Sequence, residues 1–316
     1  MAAITNTYQT FTTKGIREDL SNIIYNISPS DTPMMSAIGR EKATSTLHEW
    51  QTDALAAASR TNKVSEGDEV SFPTLTPSVR LNNNTQISTK AAIVSGTNLA
   101  VTSAGRNNEM AYQISKASKE LKRDMESVLT HNQAKSAGAA VNTARALGSI
   151  DSWIKTNTSI GTGSAANPTG DGSDARTNGT QRAFAEDQLK EVVRECYDSG
   201  GNPSMIMCGA FNKQVLSGFT GGSTRFDPAE NKRLVASVDV YESDFSTLQV
   251  VPNRLQQQRS VYVLQPDMWA VAYLRDFQLA DLSKTGDAEK KFMLAEYTLV
   301  SKNEAASGGI FDVTHS

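Results

Sequence analysis

The sequence contains little cysteine, little histidine and few aromatic residues. Of its 316 residues, two are cysteines, three are histidines, and Phe, Trp and Tyr together make up 7%. Cys196 belongs to a helical pattern and Cys208 follows a strand-like run, so we interpret both as small buried hydrophobic residues. A disulfide between them is the less favoured alternative, because nothing else in the sequence indicates an oxidising compartment.

The three histidines lack the spacing of a metal site. His48, His131 and His315 lie far apart and in different predicted elements, with no HxxxH or CxxC motif beside them. A protein zinc site needs several ligands at matched spacing. We therefore predict no catalytic, cofactor-binding or metal-binding residue in this chain, and no cofactor.

Motifs of the common enzyme classes are also missing. The glycines of Gly161–Ala166 form a degraded GxGxxG that neither follows a clear strand nor begins a helix, so the context excludes a dinucleotide site. The sequence contains neither a P-loop motif nor GxSxG. Asp239, Glu242 and Asp244 could bind an ion near the end of a predicted strand, although a solvated surface is the simpler interpretation. The sequence thus predicts a protein that is not an enzyme.

The chain has neither a basic run nor a long hydrophobic segment. Its net charge is −3, and no cluster of Lys and Arg of the kind that grips nucleic acid is present. No segment approaches the roughly 18 consecutive apolar residues of a membrane-spanning helix. The first residues also lack the basic and apolar regions of a secretory signal. We expect a soluble, near-neutral protein that does not enter a membrane.

The strongest pattern that the sequence does contain is one long amphipathic helix, predicted over Arg106–Ala137. Its apolar residues recur at steps of three and four: Met110, Ile114, Ala117, Leu121, Met125 and Val128. A helix of about 30 residues is about 45 Å long at 1.5 Å per residue. Such a helix would span the whole subunit.

The residues ahead of this helix have little core of their own. We predict an extended arm over Met1–Lys14, a short helix over Ile16–Ile27, and an apolar anchor at Met34, Met35 and Ile38. The composition of this region indicates a segment that lies on other surfaces.

Two strands joined by a polar ribbon follow the anchor. They are predicted over Thr44–Leu55 and Gln86–Val94, with Asn82–Asn84 read as a turn. An isolated two-stranded ribbon is marginally stable in water. We therefore expect it to pack on another surface.

The second half of the chain alternates helices and strands. After a long surface loop over Asn157–Gln181, the pattern predicts helices over Phe184–Ser199 and Phe211–Phe219, and strands over Ser204–Cys208, Val235–Tyr241 and Leu248–Val251. This alternation indicates a small mixed domain. The last block predicts four further strands: Val261–Leu264, Trp269–Leu274, Phe292–Val300 and Ile310–Val313.

Several blocks, taken in order, carry a resemblance to a known family. They are Ile27–Pro33 with Trp50 downstream, Gly201–Pro203, Phe211–Lys213, Leu279–Asp287, Glu296–Leu299 and Asn303–Ala305. Together they resemble the major capsid proteins of tailed bacteriophages of the SU10-like group, which are HK97-fold shell proteins. The resemblance covers nearly the whole chain.

The resemblance implies an α+β fold of the HK97-like capsid type. The implied parts are an N-terminal arm (1–43), an extended loop that reaches over a neighbouring subunit (44–96), the spine helix of a peripheral domain (97–148), an axial domain (149–252) and the sheet of the peripheral domain (253–316). This layout agrees with the ribbon's lack of a core, because a neighbouring subunit would supply its partner surface. We therefore expect deletion of Thr61–Gln86 to leave a soluble, folded monomer that cannot close shells.

The function that the resemblance implies is a major capsid protein of the virion. Such a protein assembles in the host cytoplasm, as hexamers and pentamers, into an icosahedral shell around double-stranded DNA. Its implied partners are further copies of itself, a portal protein, scaffolding and decoration proteins, and the packaged DNA through non-specific contact. Some HK97-type shells also join an extended-loop lysine to an asparagine of a neighbour, and Lys63 and Asn303 have the matching residue types.

Three other functions stay open at this point. An encapsulin-like cellular shell would carry enzyme cargo instead of DNA, and a phage tail-tube protein would form open tubes. A metal-dependent hydrolase would use Asp239, Glu242 and Asp244 as ligands, and metal-dependent turnover would reveal it.

Overall fold

The computed structural model describes residues 31–69, 72, 74–101, 108–139, 143–219 and 238–315. The α-helices in this part of the chain are Pro33–Ala37 (α1), Gly96–Ala100 (α2), Glu109–Leu129 (α3), Glu186–Asp198 (α4) and Ala210–Ser217 (α5). Short 3₁₀ turns cover Ile150–Ser152, Pro266–Met268 and Glu304–Ala306. The predicted arm Met1–Lys14 and helix Ile16–Ile27 lie outside the described residues.

The strands form three sheets. They are Gly39–Lys42 (β1), Leu47–Thr52 (β2), Val79–Asn84 (β3), Gln86–Ser95 (β4), Asn157–Ser159 (β5), Met205–Cys208 (β6), Val240–Glu242 (β7), Thr247–Pro252 (β8), Val261–Leu264 (β9), Trp269–Leu282 (β10), Ala288–Ser301 (β11) and Gly308–Ile310 (β12). One sheet has the order β1-β10-β11-β4, a second has the order β5-β12-β9-β6-β8-β7, and β2 pairs with β3 alone.

The long helix exists as predicted, but it is shorter. α3 has 21 residues and is therefore about 32 Å long. It begins where Asn108 Oδ1 accepts a hydrogen bond from the Ala111 N–H at 3.0 Å, and its last residue is Leu129. The residues after it bond to distant loops instead, since the Gln133 N–H donates to Ser149 Oγ at 2.7 Å. The prediction of helix up to Ala137 is wrong because these long-range partners replace the intrahelical ones.

The main core lies between α3 and the two larger sheets. Leu121, Met125 and Leu129 of α3 are fully buried together with side chains from both sheets, among them Tyr262 of β9 and Tyr297 of β11. This shared cluster joins the two sheets into one structure, so neither depends on a separate interior.

The predicted apolar anchor is confirmed. Met34, Met35 and Ile38 are buried in the main core. The buried Glu126 carboxylate of α3 accepts hydrogen bonds from the backbone N–H groups of Met34 at 2.8 Å and Met35 at 2.9 Å. Asn253 Nδ2 donates to the same carboxylate at 2.7 Å. Burial raises the pKa of Glu126.

A second core lies between the six-stranded sheet and the helices α4 and α5. The buried face of α4 is the predicted one and consists of Leu189, Val192, Val193 and Cys196. Both cysteines are free and fully buried, which confirms their interpretation as small hydrophobic residues and makes the disulfide alternative wrong. Burial raises the pKa of each thiol to about 12.

The last block of strands does not form one sheet. β10 and β11 pair with each other in the four-stranded sheet, whereas β9 pairs with β6 and β12 pairs with both β9 and β5. The prediction that residues 253–316 form a single sheet is therefore wrong for β9 and β12. Sequence order could not show this, because β6 and β5, with which they pair, lie 55 to 151 residues earlier in the chain.

Two smaller expectations also change. The loop predicted over Asn157–Gln181 begins with β5 and includes the buried Arg176, so it is not wholly a surface loop. The run Asn82–Asn84, read as a turn, belongs to β3. No helix among the described residues is long and apolar enough to cross a membrane.

Candidate assembly interface

A long connection joins β2 to β3, and its described residues have almost no contact with the rest of the subunit. Residues 53–69, 72 and 74–78 of this connection are exposed. Several of its side chains are large and apolar: Leu55 is 100% exposed, Phe72 91%, Leu75 87% and Val64 71%. Apolar side chains grouped on a projecting segment indicate a surface that binds another protein. We call residues 53–69, 72 and 74–78 the exposed loop.

The base of the hairpin, in contrast, is held by buried hydrogen bonds. Asn83 of β3 is fully buried, and its Nδ2 donates to the carbonyl oxygens of Gly148 at 3.1 Å and Leu299 at 2.8 Å. Its Oδ1 accepts from the Gly148 N–H at 2.8 Å. Because one amide satisfies three buried backbone groups, this side chain fixes the hairpin to both the long strand β11 and the chain that follows α3.

Aromatic and cationic side chains extend this attachment. Trp50 of β2 donates from Nε1 to the Ser301 carbonyl at 2.8 Å, and its ring lies 5.4 Å from the ring of Trp153. Lys135 Nζ donates to the Asn82 carbonyl at 3.0 Å and to the Asp171 carbonyl at 2.7 Å. The hairpin thus leaves the subunit in a fixed direction.

A buried carboxylate lies where the hairpin joins the four-stranded sheet. Glu296 of β11 accepts from Arg145 Nη2 at 2.6 Å, from Arg275 Nε at 2.7 Å and from Thr85 Oγ1 at 2.9 Å. Its side chain is only 4% exposed. Two guanidinium groups and one hydroxyl, from three separate segments, thus supply charge-assisted hydrogen bonds to one buried carboxylate.

A second exposed apolar surface lies at the far edge of the six-stranded sheet. Tyr197 at the end of α4 stacks on Phe245 with 4.8 Å between ring centroids, and both rings are partly exposed. Val240 of the edge strand β7 is also exposed, at 56%. An edge strand has unpaired backbone groups, so this surface is also suited to contact with another chain.

A cluster of buried ionisable side chains lies beside Tyr262 and Phe311 of the main core. The Asp151 carboxylate is fully buried, and its Oδ1 accepts from the Tyr262 hydroxyl at 2.7 Å. The Arg176 guanidinium lies 3.5 Å from the centre of the Phe311 ring and favours the charged carboxylate. Burial is the larger effect, and it raises the pKa of Asp151 to about 7. Because Asp151 is fully buried, we expect this cluster to make the stability of the subunit depend on pH.

The residues considered for metal binding are not brought together. Asp239 Oδ1 lies 3.2 Å from Lys213 Nζ in an ion pair. Among the described residues, no group of three His, Cys, Asp or Glu side chains is placed to hold a metal ion. Asp239, Glu242 and Asp244 therefore do not form such a group. This ion pair agrees with the simpler interpretation, in which these carboxylates lie on a solvated surface.

The histidines and the glycine run also have separate structural surroundings. His48 lies in β2 with its ring 5.8 Å from that of Trp50, and His315 Nδ1 lies 2.9 Å from Gln181 Nε2. The Gly161 N–H donates to the buried Asp312 carboxylate at 3.1 Å. Gly161–Ala166 therefore contacts the end of the chain in the manner of a packed loop.

Sequence reasoning missed the residues that hold the hairpin. Asn83, Trp50 and Glu296 show no motif, and their partners lie up to 251 residues away. The one local signal is the polar run Asn82–Asn84, which stands at the end of β3.

Comparison with known proteins agrees with this architecture. The curated major capsid protein of Escherichia phage Phieco32 is 27% identical over 341 residues, with 94% of each chain covered. The capsid asymmetric unit of cyanophage A-1(L) superimposes with a TM-score of 0.67 at 14% identity, covering 95% of this chain and 97% of that one. The structure from Gordonia phage Cozz gives a TM-score of 0.60 at 14% identity, covering 95% and 92%.

These solved structures show the fold, and the family match shows the identity. The neighbours are HK97-like phage capsid structures, so the chain has the α+β HK97-like capsid fold. The family described as SU10 major capsid protein matches residues 3–314, which is nearly the whole sequence. The chain therefore belongs to the SU10 major capsid protein family, whose members form the shells of phage virions.

Proposed function

We propose that this capsid protein assembles as hexamers and pentamers into an icosahedral shell that encloses double-stranded DNA. The observation that carries the proposal is the hairpin, which is rigid at its base and apolar at its exposed loop. Leu55, Phe72 and Leu75 find no cover on their own subunit. A second subunit would remove them from water, at about 25 cal/mol per Å² of apolar surface.

Repetition makes such contacts sufficient for a closed shell. Each subunit offers a loop and receives one, which is a heterologous contact that closes into rings when the rotation between subunits permits. Linked contacts raise the effective concentration of every further contact. Weak individual interfaces therefore support a stable particle.

We assign the two larger sheets to the two domains of the fold. The four-stranded sheet with α3 forms the peripheral domain, and the six-stranded sheet with α4 and α5 forms the axial domain at the centre of each capsomer. β9 and β12 then belong to the axial domain, because they pair with β6 and β5. The edge surface around Tyr197 and Phe245 supports this assignment, since neighbouring axial domains would cover it.

Further partners follow from a shell of this kind. We propose assembly in the host cytoplasm around a portal protein at one vertex, with scaffolding and decoration proteins as additional partners. The material that co-purifies with the particles distinguishes this proposal from the cellular-shell alternative. Particles with DNA inside support the virion, whereas particles with a cargo protein inside support the cellular shell.

The first experiment tests the exposed loop. Deletion of Thr61–Gln86 would also remove Asn83 and Thr85, so it would damage the fold together with the interface. The sharper variant is Leu55→Ser/Phe72→Ser/Leu75→Ser, because these three side chains make no core contact. A matched control is Thr61→Ser/Thr74→Ser/Thr76→Ser, which alters the same loop without changing its apolar surface.

We expect the apolar variant to give folded subunits or free capsomers and the control to give closed particles in negative-stain microscopy. The denaturation midpoint of the unassembled subunit should be the same in both. Closed particles of normal diameter from the apolar variant would show that the loop does not drive assembly.

A further inference from the structure

One side of the spine helix α3 carries a line of cationic side chains. Lys116, Lys119 and Lys122 are exposed, and Arg123 is half-buried. At 3.6 residues per turn, these four positions fall within a sector of about 120° around the helix axis. We call these four residues the basic stripe.

The carboxylates of the same helix do not neutralise the basic stripe. Asp124 pairs with Lys90 of β4 at 2.7 Å, on the opposite side of the helix. Glu126 is buried and accepts the backbone N–H groups of α1. Glu120 approaches Lys116 only at 3.8 Å, the long limit of an exposed ion pair. Such a pair contributes little in water, so the stripe keeps a positive potential.

The middle of the stripe is the least compensated part. Within the part of the chain that the structure describes, neither Lys119 nor Lys122 has a carboxylate within ion-pair distance. Lys122 Nζ lies 5.8 Å from the centre of the Phe277 ring, a contact that leaves its charge available to solvent.

The helix presents these charges on a rigid line. Its opposite face, with Leu121 and Met125, is fully buried in the main core. From Lys116 to Arg123 the line is about 10 Å long. B-DNA carries one phosphate charge per about 1.7 Å of its axis, so a line of this length faces several phosphates.

Two other exposed surfaces of the subunit carry a net negative charge, although each also exposes two basic residues (Arg60 and Lys63 in the loop, Lys190 and Arg194 on α4). Glu66, Asp68 and Glu69 lie together in the exposed loop, and α4 exposes Asp187, Glu191 and Asp198. Phosphate groups would be repelled by both surfaces. The chain as a whole has a net charge of −3, so the positive stripe is a local feature of α3.

We propose that the basic stripe contacts the phosphate backbone of the nucleic acid inside the shell, without base specificity. The inference rests on the proposed function, because an enclosing shell is what holds nucleic acid against one face of every subunit. It assigns the α3 side of the peripheral domain to the interior. The loop and α4 surfaces, which are acidic, are then available for contacts between proteins.

The test uses three full-length chains. They are the wild type, the stripe variant Lys116→Gln/Lys119→Gln/Lys122→Gln, and a control, Lys155→Gln/Lys190→Gln/Lys284→Gln. The control removes the same three charges from exposed positions elsewhere. DNA-filled wild-type particles from infected cells are crosslinked with formaldehyde, and lysines that carry nucleotide adducts are identified by mass spectrometry. In parallel, binding of each unassembled chain to a 30-base-pair duplex is measured against salt concentration.

We expect adducts on Lys116, Lys119 or Lys122. We also expect the stripe variant to lower the slope of log affinity against log salt by about 2 to 3, at about 0.9 per lost phosphate contact, and the control to lower it by less than one. Adducts confined to other lysines would overturn the inference and leave the proposed shell intact.

Two further outcomes are informative. If the stripe variant fails to form closed particles while the control forms them, the stripe is a contact between subunits, and the inference is wrong. If the wild-type chain forms no DNA-containing particle at all, the proposed function fails first and the inference fails with it.

Discussion

Single buried polar residues decide much of the stability of this subunit. Asp151 is an example, because its carboxylate is enclosed with Tyr262 and near Arg176 and Asp312. Burial raises its folded pKa from 3.8 to about 7. The folded state therefore holds a proton that the unfolded state has released between these two values.

The sign of the pH effect follows from this difference. Below pH 4 the carboxyl is protonated in both states and causes no loss. Between pH 4 and 7 the free energy of unfolding falls as pH rises, and above pH 7 the whole loss is present. The upper bound is about 4 kcal/mol, at 1.36 kcal/mol per pKa unit.

We expect Asp151→Asn to be more resistant to urea than the wild type at pH 8 and to show a flatter pH profile between pH 4 and 8. The amide keeps an acceptor for the Tyr262 hydroxyl but cannot ionise. Urea unfolding of the unassembled subunit at pH 5 and pH 8 measures the effect, with the exposed Asp187→Asn as control. Parallel pH profiles for the wild type and Asp151→Asn would contradict this account.

At the level of elements, the β2–β3 hairpin depends on contacts distant in sequence. Two strands alone are marginally stable, and here Asn83 supplies three hydrogen bonds from the hairpin to Gly148 and Leu299. Its loss would remove this partner from the Leu299 carbonyl and from the N–H groups of Gly148 and Asn84, whereas the Gly148 carbonyl keeps Trp153 Nε1 as a donor.

We expect Asn83→Ala to lower the free energy of unfolding by about 3 kcal/mol, since each unpaired buried group costs about 1 to 3 kcal/mol and some regain water. The exposed Asn62→Ala in the same hairpin is the control and should change stability by less than about 0.5 kcal/mol. Chemical denaturation of both variants makes the comparison. Equal midpoints would show that the hairpin base does not depend on this amide.

At the level of the whole molecule, the exposed loop and the turn after β11 define a possible covalent link between subunits. Lys63 is exposed in the loop, and Asn303 is exposed with its Oδ1 accepting from the Ala305 N–H at 3.1 Å. Attack of the Lys63 amine on the Asn303 side-chain amide would form an isopeptide bond and release ammonia.

The link stays a prediction, and its signature is simple. Mature particles of the wild type should give a ladder of multimers on denaturing gels, and Lys63→Arg should abolish the ladder while particles still close. The conservative Lys284→Arg is the control. A single monomer band from mature wild-type particles would show that the shell is held by non-covalent contacts alone.

Some features could be predicted from the sequence because burial follows a local period. The apolar stripe of α3, the buried face of α4 and the burial of Cys196 all depend on residues within one or two turns. The same holds for the anchor at Met34 and Met35. The ordered family blocks supplied the fold class in addition.

Other features were decided only by the tertiary structure. The end of α3 at Leu129, the role of Asn83 and the placement of β9 and β12 depend on partners between 16 and 216 residues away. The residues of the basic stripe are likewise separated by other residues in the sequence, and they form one line only on the surface of the helix. Local periodicity determines which face of a segment is buried. Which strand or backbone group a segment pairs with depends on long-range hydrogen bonding and packing, and the sequence of that segment alone does not determine these.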